Sequence, residues 1–250
     1  MQKTDYSKIA CTYNNRYKEN YLSNIEKLLK QLVFDNGYKI ILETGCGTGK
    51  WIKSFDDLNL KVFGLDYSLD MLKMFDRGDS KAQMINADAC SIPVKDNSID
   101  LIFCVNAIHH FPDKKKFISE CKRTLKQNGM ITAFGVDPYC DKEWYVYDYF
   151  ENVYQNDLKR FVPVDSIKEF LNSKDFRETD VSIAEKVFNE RIGGEVFNDP
   201  FLKKNHSSQL ANLSNEDYEK GMQKIKTQIK KDPKTIFKTS VVFYMITGKK

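Results

Sequence analysis

Lys39-Ile-Ile-Leu-Glu-Thr-Gly-Cys-Gly-Thr-Gly-Lys50 is an apolar strand that runs straight into a glycine turn, and Trp51, Ile52, Phe55 and Leu58 behind it keep the spacing of a helix. Strand, glycine turn and helix in that order are how an open α/β sheet presents its backbone to a nucleotide-like ligand. Glycines permit positive φ and let a ligand approach with no Cβ in the way, while the following helix offers free N–H groups. The spacing here is GxGxG with Lys50 next. It is neither the GxGxxG that seats a dinucleotide pyrophosphate nor the GxxxxGK[ST] of a phosphate loop. A turn of this kind opened by Glu43 suits a ligand that carries positive charge and no phosphates.

Outward from the turn, strand and helix alternate. A leading amphipathic helix over residues 16–33 places Tyr21, Ile25, Leu28, Leu29 and Leu32 on one face. After the turn come the strand Lys61–Asp66, a helix with Met71, Leu72 and Phe75, a short strand Gln83–Asn86 and the strand Ile99–Val105. A helix with Phe117, Ile118, Cys121 and Leu125 follows, closed by Asn128-Gly129, with Gly129 in the left-handed position past the helix end, and then a strand Met130–Val136. Five strands joined by helices imply right-handed βαβ crossovers, hence parallel strands in a doubly wound sheet. The last hundred residues are less regular. They hold an aromatic stretch from Trp144 to Tyr154, a strand within Asp180–Phe188, a Gly193-Gly194 loop, a capping box Ser214-Asn-Glu-Asp217 ahead of a helix, and a final strand Thr239–Thr247. No repeat or linker divides the chain. The expectation is one domain: residues 1–35 a helical cap, 36–137 the core, 138–235 a lid and insertion on the substrate side, and 236–250 a last antiparallel strand.

Charge and composition narrow the classes. The 250 residues carry 39 basic and 35 acidic side chains, a formal +4 spread along the whole length, so no basic stripe marks a phosphate-backbone partner. The polar opening MQKTDYSKIACTYNNRYKEN lacks the apolar core of a signal peptide, and no run approaches the roughly 20 apolar residues of a membrane span. A cytoplasmic location and no membrane partner are expected. Cys11, Cys46, Cys90, Cys104, Cys121 and Cys140 form no CxxC pair and read as buried reduced thiols, with no metal site.

Carboxylates stand at the ends of the next strands. Asp66 closes the second strand, where a carboxylate can accept from both hydroxyls of a ribose. Asp88, in Asn86-Ala-Asp-Ala89 past the third, could accept from the exocyclic amine of an adenine lying on Tyr67 and Ile92, and Asn106 follows the fourth. ILETGCGTGKW, VFGLDYS, INADACSIPVKDNSIDLIF and VNAIHHF together resemble the successive motifs of class I S-adenosylmethionine-dependent methyltransferases, over roughly residues 39–136. The resemblance implies a Rossmann-like, mostly parallel seven-stranded sheet with a helical lid insertion, and S-adenosyl-L-methionine as cofactor. It further implies that Glu43, Gly45, Gly47 and Gly49 hold the methionine portion, Asp66 with Tyr67 the ribose, and Asp88 with Ala89 the adenine, with Asn106 facing the cofactor. Tyr13 and Arg16, in a segment resembling the N-terminal closure of many small-molecule members, complete that set. Thr44 departs from the pattern, since an apolar residue commonly precedes the first glycine.

Methyl transfer from a sulfonium is an in-line displacement that alignment and desolvation can accelerate, so no nucleophilic triad is needed and a general base is optional. His109 and His110 after the fourth strand are the candidate bases; the alternative is that they only cap the loop. Tyr139, Trp144, Tyr147 and Arg191, with His110, are the candidate acceptor-binding residues, Tyr145 and Tyr149 belong to the same aromatic stretch, and His206 lies in the same insertion as Arg191. Core packing is the equal reading of the aromatics, and a solvated surface charge that of Arg191 and of Lys114-Lys-Lys116. A small-molecule acceptor is the first expectation. A tRNA wobble-uridine methyltransferase, which Gly49-Lys50-Trp51 and Ile108-His-His-Phe111 also resemble, is second, and a noncatalytic cofactor-binding regulatory subunit is the reading from another class.

Overall fold

The computed structural model describes residues 22–250. Tyr13, Arg16, Cys11 and the first part of the expected leading helix lie outside the described residues.

Seven strands form one sheet in the order β3-β2-β1-β4-β5-β7-β6. They are β1 (Ile40–Thr44), β2 (Lys61–Asp66), β3 (Gln83–Asn86), β4 (Ile99–Val105), β5 (Leu125–Val136), β6 (Arg177–Ile192) and β7 (Ile236–Lys249). β1 to β5 are parallel, and β7 runs antiparallel between β5 and β6. The central strands read as continuous apolar runs because both of their faces are covered. Leu42, Ile102, Cys104, Ile131 and Ala133 point to one side, where α4 (Lys114–Thr124) supplies Phe117, Ile118 and Cys121 and α7 (Val164–Asn172) supplies Ile167 and Leu171. Ile41, Leu101, Phe103, Val105 and Phe134 point to the other, against Ile25, Leu29 and Val33 of α1 (Ser23–Asn36) and against Trp51 and Phe55. Trp51 lies in α2 (Lys50–Lys53), and α3 (Leu69–Lys73) follows β2.

The boundary between α4 and β5 differs from the sequence reading. The helix ends at Thr124, and β5 begins at Leu125 beside Ile99. Asn128, not Gly129, takes the left-handed conformation, at φ 65°. Gly129 is instead placed by crowding: a Cβ there would stand 3.0 Å from the carbonyl oxygens of Asp100 and Lys126. The helical spacing had run on because Leu125 packs in the same core as Cys121.

Residues 138–235 add a second small core. Tyr145 and Val146 of α5 (Tyr145–Tyr149), Val153 of α6 (Val153–Arg160), Leu210 of α8 (Ser208–Ala211) and Ile225 of α9 (Asn215–Lys231) bury one another with Phe150, Leu202 and Phe237. Phe237 belongs to β7, so this helical cap is anchored on the sheet. Ser214 accepts from the N–H of Asp217 at 3.0 Å and starts α9, as its capping motif requires. No helix among the described residues is long and apolar enough to cross a membrane.

Candidate active site

Two groups of candidate residues lie at the carboxyl ends of the parallel strands. The first is built on the glycine turn. Gly45, Gly47 and Gly49 have φ of 70°, 55° and 78°, and the N–H groups of Gly45 and Cys46 both donate to the carbonyl of Leu65 at 2.7 and 3.1 Å. A Cβ on Gly45 would stand 2.6 Å from the Cβ of Ala107, and one on Gly49 would stand 2.3 Å from the Phe75 ring. The turn is therefore glycine both for its backbone angles and for its close packing. Asp66 ties it to β2: its two carboxylate oxygens accept from Gly47 N–H and Ser68 N–H, each at 2.8 Å. Asn86 donates to the carbonyls of Asp66 and Tyr67 at 3.0 and 2.9 Å, and Asp88 accepts from Cys90 N–H at 2.8 Å, so the ends of β2 and β3 are held together. Tyr67 is 62% exposed at this rim, whereas Ile92, expected beside the adenine, is buried in the sheet core. Ala89 is buried as well.

Glu43 is buried beneath the turn, and its Oε2 accepts from no described residue. Burial and the neighbouring Asp66 push its carboxyl well above the ordinary range. Asn106 follows β4 in a left-handed conformation at φ 50°, and its buried Oδ1 is also without a donor among the described residues. Buried acceptors left this way call for a ligand that donates or carries positive charge.

The second recess is a cavity of about 140 Å³ between the sheet ends and the helical cap, bordered by Asn106, His109 and His110 on the β4 side and by Trp144, Tyr147 and Arg191 on the other. His109 and His110 sit on one 3₁₀ turn, with ring centroids 4.0 Å apart, and His109 stacks on Phe161 at 4.0 Å. Lys114 does not stand on a solvated face: its Nζ donates to the Phe111 carbonyl at 3.0 Å and reaches that of His109 at 3.5 Å, and partial burial lowers its pKa.

Residues 42–133 match the family described as a methyltransferase domain. That match supports a class I S-adenosylmethionine-dependent methyltransferase. This methyltransferase is 27% identical over 229 residues to the uncharacterized protein MJ1252 of Methanocaldococcus jannaschii, covering 85% of the chain and 86% of that relative. Among solved structures, a putative methyltransferase from an antibiotic biosynthesis pathway of Anabaena variabilis superposes with a TM-score of 0.67 at 18% identity, covering 89% of this chain and 96% of that one. Haemonchus contortus phosphoethanolamine N-methyltransferase 2, in complex with phosphomonomethylethanolamine and S-adenosylhomocysteine, superposes with a TM-score of 0.62 at 17% identity, over 100% of this chain and 60% of that one.

The residues of the first recess fit the methyltransferase's cofactor. Two buried acceptors without a donor among the described residues favour a ligand that brings donors or positive charge, as a sulfonium with an ammonium does, over a pyrophosphate, which brings acceptors only. Asp66 accepts from two backbone N–H groups and Asp88 from one, which fixes both carboxylates at their strand ends.

Some expectations about the acceptor side change. Tyr139 does not line the cavity; it is 43% exposed and its hydroxyl donates to the Leu158 carbonyl at 2.6 Å. Tyr145 and Tyr149 are packed in and against the cap's core, and Trp144 and Tyr147 face the cavity while packing against that core. Arg191 is no solvated charge: its Nη1 lies 3.4 Å from Asp199, which also accepts from the Tyr145 hydroxyl at 3.0 Å. His206 is buried in the cap. Cys46, Cys90, Cys104 and Cys121 are buried free thiols, but Cys140 is exposed.

Three carboxylates of this region escaped the sequence reading. Asp157, fully buried, pairs with Arg160 at 2.5 Å and accepts from the Tyr147 hydroxyl at 2.9 Å and the Gln209 amide at 3.1 Å, fixing the Tyr147 ring. Asp199 serves Arg191 and Tyr145 as above. Asp141 lines the cavity and accepts from the Tyr244 hydroxyl at 2.9 Å. The one available signal was Asp199-Pro200, the cap and first residue of a short helical turn; the other two stand in no motif.

Proposed function

We propose that the methyltransferase acts on a small-molecule acceptor held in the cavity under the helical cap. The observation that carries this reading is the cavity itself, which opens on Asn106 and the histidine turn and is roofed by a core-bearing cap. Its volume of about 140 Å³ resembles the ~150 Å³ of cavities that take a benzene-sized guest. The complex of the Haemonchus structure with phosphomonomethylethanolamine supports the same class of acceptor.

In this reading Glu43, Gly45, Gly47, Asp66 and Asp88 hold S-adenosylmethionine, which when bound supplies a methyl group already activated on its sulfonium. Asn106 stands between the two recesses. The cap excludes water and the walls orient the acceptor, effects on the order of 7–11 kcal/mol at best for a near-attack arrangement. His110, half-buried on the cavity side, takes the acceptor's proton where one must be lost; His109, buried against Phe161, holds the turn in place.

Incubation of the full chain with S-adenosylmethionine carrying a labelled methyl group, a metabolite extract and bulk tRNA tests this. Label is expected in the low-molecular-weight fraction. Label in tRNA would support the wobble-uridine reading, and cofactor binding without any transfer would support a regulatory subunit. If His109→Ala and His110→Ala both keep full turnover, neither histidine is a base.

A further inference from the structure

The cavity's walls carry a charge imbalance that bears on what the acceptor is. Asp141, Asp199 and Arg191 are its formally charged lining residues, which sum to −1 with the histidines neutral. Arg191 and Asp199 compensate each other at 3.4 Å, and Asp199 is further satisfied by the Tyr145 hydroxyl and by Phe201 N–H at 2.9 Å. Asp141 has no such counter-charge among the described residues. Its side chain accepts one hydrogen bond, from the neutral Tyr244 hydroxyl to Oδ2, so Oδ1 keeps its capacity and the full negative charge goes unpaired. Among the cavity's other polar groups, Thr239 Oγ1 is buried without a partner in the described residues.

The segment that carries Asp141 also carries the aromatic wall. Trp144 and Tyr147 follow it at intervals of three residues, and their rings meet edge to face with centroids 5.2 Å apart. Tyr147 is pinned by its hydrogen bond to the buried Asp157, and Trp144 is held by its backbone bridge to Thr239 and by the edge-to-face contact of its ring with Tyr147. An unpaired carboxylate beside two fixed aromatic rings is the arrangement that binds an organic cation, by charge on one side and by ring quadrupole on the other. Among the described residues an anionic acceptor would meet Asp141 with nothing to offset it, since Arg191, the guanidinium that lines the cavity, is already engaged by Asp199.

We propose that the acceptor is a small molecule bearing an alkylammonium group, and that this group seats on Asp141 against the rings of Trp144 and Tyr147. The inference rests on the small-molecule reading above and names the acceptor's chemical class. Asp141 is a binding residue in it, and the proposal assigns no bond-making step to that carboxylate.

The test uses the full chain saturated with S-adenosylhomocysteine and three series of probes matched in size: primary to tertiary arylalkylamines, the corresponding alcohols, and the corresponding carboxylates. Saturation-transfer NMR and calorimetry report binding. Amines are expected to bind best, and Asp141→Asn to weaken them by about tenfold, or ~1.4 kcal/mol, while alcohols move by less than about twofold. Asp141→Glu, which keeps the charge, should retain the preference for amines. S-adenosylhomocysteine affinity measured on each variant confirms that the fold and the first recess are intact. Preference for carboxylates, an Asp141→Asn variant that binds amines as tightly as the original chain, or no amine bound by a chain that does bind S-adenosylhomocysteine would each overturn the proposal. Failure to bind S-adenosylhomocysteine at all would instead strike the cofactor assignment, so the two failures are distinguishable.

Discussion

Glu43 is a residue whose surroundings in the folded chain oppose its own charge. It is buried, Asp66 stands nearby, and Oε2 has no donor among the described residues. The folded value is raised, so the folded state retains a proton that the unfolded state releases. Stability is therefore fullest below the ordinary carboxylate value of about 4.3 and falls as pH climbs towards the folded value. Glu43→Gln should raise the thermal midpoint of the ligand-free chain by a few degrees near pH 8 and lose that advantage near pH 4. A cation beside Glu43 reverses the balance, since it favours the ionised form. Binding of S-adenosylmethionine should then release a proton and tighten as pH rises, which calorimetry in two buffers of different ionisation heat measures directly. An unchanged midpoint together with no proton release would show that Glu43 is neither strained nor facing a cation. Glu43 was legible in the sequence because its position in the strand–turn–helix motif names it. Asp141 was not, because its surroundings become visible only when its hydrogen-bond partner Tyr244 arrives from a strand 103 residues further along the chain.

At the level of elements, the core and the cap gave themselves away unequally. β2 and β4 matched their expected limits because each carries a mostly apolar run, Val62 to Leu65 and Leu101 to Val105, that polar residues set off. β6 was read as a piece of its length. It runs for 16 residues at the sheet edge, alternates buried or half-buried positions with exposed ones, and carries Lys, Glu and Arg on the open side, which blurs it into loop. The cap's helices α5, α6 and α8 are 5, 8 and 4 residues long, too short for a helical period to declare itself. Their packing nonetheless has a sharp point. A Cβ on Gly221 of α9 would stand 2.2 Å from the Phe150 ring, so this glycine allows the helix to lie directly on α5's end. Gly221→Val should force the cap open at a cost of about 1–3 kcal/mol. The expected signature is a KM for the acceptor raised about tenfold or more with S-adenosylhomocysteine affinity within about twofold. Equal loss of both would mean that the cap and the glycine turn do not act as separate parts.

Across the whole molecule, one sheet serves two recesses. The parallel half, β1 to β5, ends in the turn and carboxylates that suit a cationic adenosine cofactor, and the antiparallel pair β6 and β7 gives the cap its anchor through Phe237 and gives the cavity Asn189, Arg191 and Thr239. The order of motifs along residues 39–136 made the first half readable, since each motif follows a strand of the same sheet. The second half is assembled from contacts between distant segments, and short-range pattern has no hold on it. If the cofactor site at the glycine turn opens on the cavity, the transferring sulfur looks into the space under the cap. A crystal structure of the full chain with S-adenosylhomocysteine measures this most directly. The sulfur is expected beside Asn106 with its open side towards His110, Trp144 and Tyr147. A sulfur turned away from the cavity, towards the exposed rim at Tyr67, would contradict it.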